Sequence, residues 1–416
     1  MSSTTSGGSR ARLVRDRPTW LIYLQLSTFS TYLYGLSAAL PLLRIDQGVS
    51  QAVAGLHGTV MAVGSVISGL AIPRLTSRFG RRGATWLGLF VMAAGTLCVA
   101  ATTALPVTLL GFGLASGGGS ITLYVGMSVL SDHHGPAGPA AINEANAVGV
   151  TVGIGVSYLV SVLAQTSLGW RSAILLTPVA ALLLLALMGR VWVPSLAPPQ
   201  DAPASPHVPP VPGPAAGPAA RPAGTPFGWR FHAAGAVLFC LVAMEFLFNV
   251  WAAKLLADQT GMTAAAAATG LTAFTVGLAV GRFAGGGLAL RFSPALLLTA
   301  GLVVTLAGWA LLWLSTEPLL AYSGLAVSGL GVAVQFPLAL SRLIAASGGR
   351  ADQAGAAGSI WAGVAVGVGP FTLGALADGY GTHTAFLMVP LLITAAIVGI
   401  ALSSGGRARL PRPAEG

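Results

Sequence analysis

The stretch PSLAPPQDAPASPHVPPVPGPAAGPAARPAGTP, Pro194 to Pro226, decides how the chain is divided. Twelve of the chain's 26 prolines fall in it, with Ala, Gly and Ser between them. Proline removes a backbone donor and fixes φ, so neither a helix nor a strand can run through these residues. The stretch reads as an extended, solvated, polyproline-like linker. It lies near the middle of 416 residues, and what precedes it recurs in diverged form after it.

The flanking sequence is built for lipid. The chain is 54% hydrophobic and 8% charged, with a mean hydropathy of +0.79, where a soluble domain carries about 25% charged residues. Cutting at turn signals and charges leaves apolar runs at 19–43, 52–72, 84–103, 107–130, 140–164 and 172–192, then 231–256, 264–289, 295–315, 319–343, 355–377 and 384–402. A spanning helix needs about 20 such residues. The runs are Gly/Ala-rich and lack the period-two alternation of barrel strands. The expected fold is an all-α membrane protein of twelve transmembrane helices, arranged as two pseudo-symmetric six-helix bundles. The expected domains are a disordered tail at 1–17, a first bundle at 18–193, the proline-rich linker at 194–228, a second bundle at 229–403 and a tail at 404–416. Thr19–Leu43 is too long for a signal-peptide core and reads as a retained helix.

Basic residues set the orientation. Arg10, Arg12, Arg15, Arg17, Arg74, Arg78, Arg81, Arg82, Arg190, Arg221, Arg230, Arg291, Arg342, Arg350, Arg407, Arg409 and Arg412 lie in segments on one side, and only Arg44, Arg171 and Lys254 on the other. This places both termini and the linker in the cytoplasm, with the chain in the inner (cytoplasmic) membrane. The net charge of +10 is therefore a topology signal, and no nucleic-acid partner is expected. Cys98 and Cys240 sit inside apolar runs and read as buried thiols.

The halves repeat at an offset of about 211–214 residues. Tyr32-Leu33-Tyr34 meets Phe246-Leu247-Phe248; Asp46-Gln47 meets Asp258-Gln259; the N-cap candidates Ser50 and Thr263 correspond. Gly149, Gly153 and Gly155 meet Gly363, Gly367 and Gly369, and Leu176-Thr177-Pro178 meets Met388-Val389-Pro390. Two parallel six-helix repeats joined by a linker are a transporter architecture, with the site between them near the midplane.

After the second run comes Pro73-Arg74-Leu75-Thr76-Ser77-Arg78-Phe79-Gly80-Arg81-Arg82, with a weaker copy, Gly286-Gly287-Leu288-Ala289-Leu290-Arg291-Phe292, after the eighth. This loop resembles the signature Gly-x-x-x-Asp-Arg-x-Gly-Arg-Arg/Lys of the major facilitator superfamily, and with the helix count the resemblance spans about residues 18–403. It implies a gating loop of Ser77, Arg78, Gly80, Arg81, Arg82 and Arg291, and a cavity lined by runs 1, 4, 7 and 10. Gln25, Tyr32 and Tyr34, Tyr124 and Gln335 are the polar candidates on those runs. The chain departs from the pattern at Ser77, where the family usually has Asp, and at Pro73, where it has Gly. Run 4 carries Gly113 and Gly117 but no Arg, and Gly369-Pro370 lies in run 11 rather than run 5, so the pattern of drug–proton antiporters does not transfer.

Charges at membrane depth face a cavity or a partner. Glu245 lies deep in run 7, with Asn249 one turn later on the same face. Intramembrane carboxylates serve as proton relays in transporters, which makes Glu245 the candidate coupling residue. Asn143, Glu144 and Asn146 open run 5 as a gate or solute contact. Arg282 in run 8 either snorkels to the interface or attracts an anion. By helix rise Glu245 and Arg282 lie about 10 Å apart in depth, so no direct ion pair is expected. His133 and His134 beside Asp132 read as a solvated loop, with too few ligands in register for a metal. The glycines of runs 8 and 11 read as packing. No converging nucleophile or nucleotide motif points to an enzyme or a cofactor. The expected function is secondary active transport of a small solute, as a monomer, driven by protons. Efflux of hydrophobic or cationic molecules leads; uptake or exchange of a small organic anion, as in cyanate-type permeases, is the alternative; a non-transporting scaffold or sensor is the remaining class.

Overall fold

The computed structural model describes residues 13–188 and 226–404; nearly all of the proline stretch and both chain ends lie outside the described residues. Among the described residues there is no strand. Helix α1 is Arg17–Gln47, and α2 and α3 are the legs 51–79 and 81–101 of Gln51–Ala101, which breaks at Gly80. Helix α4 is Leu105–His134 and α5 is Gly138–Leu163. Helix α6 combines Gly169–Ile174 and Leu176–Met188. The second half contributes α7 (Trp229–Thr260), α8 (Ala264–Ala289) and α9 (Pro294–Leu314). It continues with α10 (Pro318–Val332 and Gln335–Ala346), α11 (Ala351–Tyr380) and α12 (Thr382–Ala385 and Met388–Ser404).

Nine stretches of the described chain are long and apolar enough to cross a membrane; two of them, 49 and 59 residues long, each hold two spans. Helix α1 is long enough but too polar to register, because it buries Gln25, Ser27, Thr28, Ser30 and Thr31. The Ser27, Thr28 and Thr31 hydroxyls donate to carbonyls of their own helix, which satisfies them away from water. With α1 the spans number twelve, as expected. Helices α6, α10 and α12 are each interrupted three to four residues before a proline, Pro178, Pro337 and Pro390, whose missing N–H leaves the preceding turn unbonded.

Gly80 makes the turn between α2 and α3. Its φ of 67° with ψ of 171° is a region that essentially only glycine occupies. Gly80→Ala should therefore cost about 1–3 kcal/mol, read as a lower melting temperature of the purified protein; an unchanged melt would show the turn relaxes without glycine.

The repeat is visible in specific bonds. Ser50 accepts from the Val53 N–H to cap α2, and Thr263 accepts from the Ala266 N–H to cap α8. Gln47 Nε2 donates to the Thr103 carbonyl just past α3 at 3.0 Å, and Gln259 Nε2 to the Trp313 carbonyl at the end of α9 at 2.7 Å. The same side chain thus ties the first helix of each half to the end of its third.

Helices α2 and α11 pack together, as do α5 and α8, and these pairs join the halves. Their described contacts gather toward the end where α1 begins and α12 finishes, the terminus side. Near the opposite end of α2, Gly55 and Gly58 face open space.

Candidate functional site

The outermost layer on the terminus side is a charge latch. Arg81 donates through Nε to Asp352 Oδ1 at 2.8 Å and through Nη2 to Asp132 Oδ2 at 2.6 Å. It therefore bridges α4 of its own half to the start of α11 in the other. Among the described residues Ser77 donates to the Arg74 carbonyl of its own helix. The acidic partner that the signature loop lacks at Ser77 is supplied instead by Asp352 and Asp132. Arg82 caps α6 through the Met188 carbonyl at 2.8 Å and lies over Trp86. Arg78 stacks on Phe79, and Arg291 is exposed beyond the end of α8.

Below the latch the halves touch without charge. Ser128 on α4 donates to the Ala351 carbonyl at 3.0 Å. Tyr124 is buried edge-on against Phe336 of α10, with Gly355 and Gly358 of α11 admitting its ring and backbone. Deeper still, the Ser359 hydroxyl donates to the Ser65 carbonyl at 2.7 Å, and Ser120 bonds the Ser65 hydroxyl. Gly69 of α2 lies so close to α11 that an added Cβ would sit 2.7 Å from the Ala356 carbonyl oxygen.

On the other flank, α5 meets α8. Asn143 is fully buried and donates through Nδ2 to the Arg282 carbonyl at 2.8 Å. Glu144 takes a bidentate contact from Arg15, at 2.6 and 3.0 Å, in the segment ahead of α1. Asn146 stays within its half, donating to the Ile142 carbonyl. The helix opening is thus braced rather than solvated, and Asn143 alone of the three crosses between halves.

The centre holds a finding opposite to the expectation. Arg282 Nη2 lies 3.4 Å from Glu245 Oε1, and the two side chains are 8% and 17% exposed. The depth estimate from helix rise counted only backbone positions, whereas the long arginine side chain runs up along α8 to the carboxylate. Arg282 Nε donates to the Ala333 carbonyl at 3.3 Å, in the interruption of α10. That carbonyl is available because Pro337, four residues on, has no N–H to donate to it, which breaks the helix at Ala333 and Val334 between Val332 and Gln335. Tyr34 of α1 lies close enough to interact with both Arg282 and Glu245. Four helices, α1, α7, α8 and α10, therefore converge on one ion pair. Asn249, one turn past Glu245 and exposed, donates to the Glu245 carbonyl.

Three expected cavity residues pack elsewhere. Gln335 is buried against α9, donating to Thr305 Oγ1 at 2.9 Å and to the Gly331 carbonyl, since the helix break turns it away from the centre. Gln25 donates to the Thr122 carbonyl at 2.6 Å inside the first half. Tyr32 stands edge-on to Phe29 and fills the notch at Gly119 between α1 and α4. His133 and His134 are not free loop residues. His133 pairs with Asp16 at 2.7 Å and His134 with Thr19 at 2.8 Å, tying the end of α4 to the start of α1. Burial pushes the Asp16 carboxyl up, but bonds from Thr19 and His133 outweigh it and hold the group below the usual carboxylate range. Cys98 and Cys240 are free thiols, and no group of His, Cys, Asp or Glu among the described residues could hold a metal.

Sequence reasoning missed Asp352, Asp132 as the partner of Arg81, Phe336 and the Ala333 carbonyl. Asp352 carried a signal: it is the acidic residue in the first turn of α11. The carbonyl carried one too: Pro337, four residues on, has no N–H to bond the Ala333 carbonyl, and a proline inside an apolar run marks a helix break.

Comparison with known proteins agrees with this architecture. The model of the Major Facilitator Superfamily matches residues 20–251. A putative metabolite transport protein of Bacillus subtilis, YwtG, is 28% identical over 181 residues, 42% of this chain and 38% of that one. The glucose transporter GlcP of Staphylococcus epidermidis is 28% identical over 185 residues, 42% of this chain and 40% of that one. The match thus spans only about two fifths of these relatives. Among solved structures, FucP of E. coli in the outward conformation superposes with a TM-score of 0.77 at 17% identity, covering 94% of this chain and 99% of that one. Human MFSD10, an organic anion transporter, gives 0.70 at 15%, covering 94% and 100%. These structural likenesses bear on the fold alone. On the match of residues 20–251, more than half of its length, the chain belongs to the Major Facilitator Superfamily.

Proposed function

We propose that the protein is a proton-coupled secondary transporter that moves a small organic anion across the cytoplasmic membrane by alternating access. The observation that carries this reading is the Glu245–Arg282 pair, held where four helices meet. While Glu245 is ionised the pair is neutral. Once Glu245 takes a proton, Arg282 is left as an uncompensated guanidinium away from bulk water, which costs several kcal/mol. An anion at Arg282 and Tyr34 removes that penalty, so proton and anion favour each other's binding. Solute, protons and lipid are the partners, and one chain is one transport unit.

The arginine distribution makes the terminus side cytoplasmic. The described contacts close that side, so this is an outward-facing arrangement. The expectation of cation efflux drew on an apolar, aromatic cavity, on Glu245 and on efflux being the commonest role in the family; the pairing of Glu245 with Arg282 takes away the second of these supports. Relatives named for metabolite and glucose transport, and neighbours titled as an organic anion transporter and a fucose:proton symporter, fit solute uptake. The test uses proteoliposomes with an inward proton gradient, offered labelled lactate, succinate and cyanate, with ethidium as the cation. Accumulation of one of the anions above protein-free liposomes is expected. Ethidium transport with no anion transport would reverse the assignment in favour of cation efflux.

A further inference from the structure

Arg282 holds two things at once. Its side chain reaches Glu245 at 3.4 Å and the Ala333 carbonyl at 3.3 Å, inside the second half. Its main-chain carbonyl, at the base of that side chain, accepts from Asn143 Nδ2 of the first half at 2.8 Å. Local sequence makes that second contact possible. An added Cβ at Gly285 would lie 2.7 Å from Asn143 Nδ2 and 2.5 Å from Val334, so glycine there opens a notch through which the amide reaches the α8 backbone beside the break in α10. Asn143 Oδ1 is buried without a hydrogen-bond partner among the described residues, so the side chain is held by its donor side alone.

We infer that Asn143 is the positioning residue that couples the state of the Glu245–Arg282 pair to closure of the terminus side, through the Arg282 carbonyl. A charge at Glu245 draws the Arg282 side chain toward α7 and fixes the α8 backbone where its carbonyl meets the amide. When Glu245 is neutral that pull is lost, the carbonyl is released, and the α5–α8 contact weakens. Binding at the centre is thereby read at the gate by one hydrogen bond. Linkage makes the effect reciprocal: breaking the Asn143 bond must change how strongly the gate responds to Glu245. The inference rests on the reading of the ion pair as the coupling site.

The experiment is a double-mutant cycle on the full chain in liposomes, with Cys98→Ala and Cys240→Ala as background. The readout is the rate at which Ser128→Cys, buried in the closed gate, reacts with a maleimide supplied on the terminus side. Glu245→Gln and Asn143→Ala should each raise the rate. The double variant should fall short of the product of the two increases by about fivefold or more, because one path carries both. Asn143→Ser, which keeps a donor and perturbs packing less, should lie between wild type and Asn143→Ala. Multiplicative increases would overturn the inference and leave Asn143 a packing residue. A rate unmoved by Glu245→Gln would instead overturn the ion-pair reading beneath it.

Discussion

Arg282→Ala should cut gradient-driven anion uptake by about 30-fold or more, since truncating one member of a buried hydrogen-bonded charge pair costs about 2–5 kcal/mol. The change removes the contact to Glu245, the contact to the Ala333 carbonyl and the basic side chain that meets Glu245 at the centre. Part of the loss could come from folding, because Glu245 is left without its partner. The double change Arg282→Ala with Glu245→Gln separates the two, for it removes both charges and should recover thermal stability while leaving uptake abolished. Arg282→Lys should be intermediate: a lysine keeps the charge but cannot serve Glu245 and Ala333 from one planar group. Uptake by Arg282→Ala within a few-fold of wild type, measured at equal protein in the vesicles, would remove the anion from this site.

The second large effect belongs to the gate. Gly69→Leu puts a side chain where even a Cβ would lie 2.7 Å from the Ala356 carbonyl oxygen and 2.5 Å from Ile360. The obstacle is α11 backbone, which cannot swing aside as a long side chain can. Overpacking of this kind costs about 1–3 kcal/mol, and the penalty falls only on the arrangement in which α2 and α11 meet. The equilibrium should shift toward terminus-side opening by about 5- to 150-fold. Maleimide labelling at Ser128→Cys should accelerate by that factor, and net transport should slow because the closed arrangement is rarely reached. Unchanged labelling with unchanged transport would mean that α2 and α11 do not part during the cycle.

Much of this fold was legible before the structure because lipid leaves few options. With no water to satisfy the backbone, long apolar runs must be helices, and the near-constant offset of about 211–214 residues carried the two-half arrangement. Gln47 and Gln259 show why that offset mattered: each secures the same junction in its own half. The site was legible in part. Glu245 and Arg282 stood out because charges are rare at such depth, but their pairing did not, since a sequence gives the height of a backbone position and not the reach of a side chain. Gln335 misled for a related reason. A polar residue amid an apolar run is equally at home in a cavity or on a neighbouring helix, and Thr305 provided the latter. The latch was half legible: Arg81 lies in the signature loop, but Asp352 is distant in sequence and meets it only once the halves close.

Whether protons and solute move together through Glu245, as proposed, is decided by one comparison. Accumulation of the anion found by uptake is measured against an imposed pH difference, for wild type and for Glu245→Gln. Wild type carrying one proton in with each monoanion should accumulate it about tenfold per pH unit, the free energy of one unit being about 1.4 kcal/mol. Glu245→Gln fixes the residue in its neutral form, so its accumulation should be flat with pH difference while anion-for-anion exchange continues. A Glu245→Gln protein that keeps the wild-type slope would contradict the account.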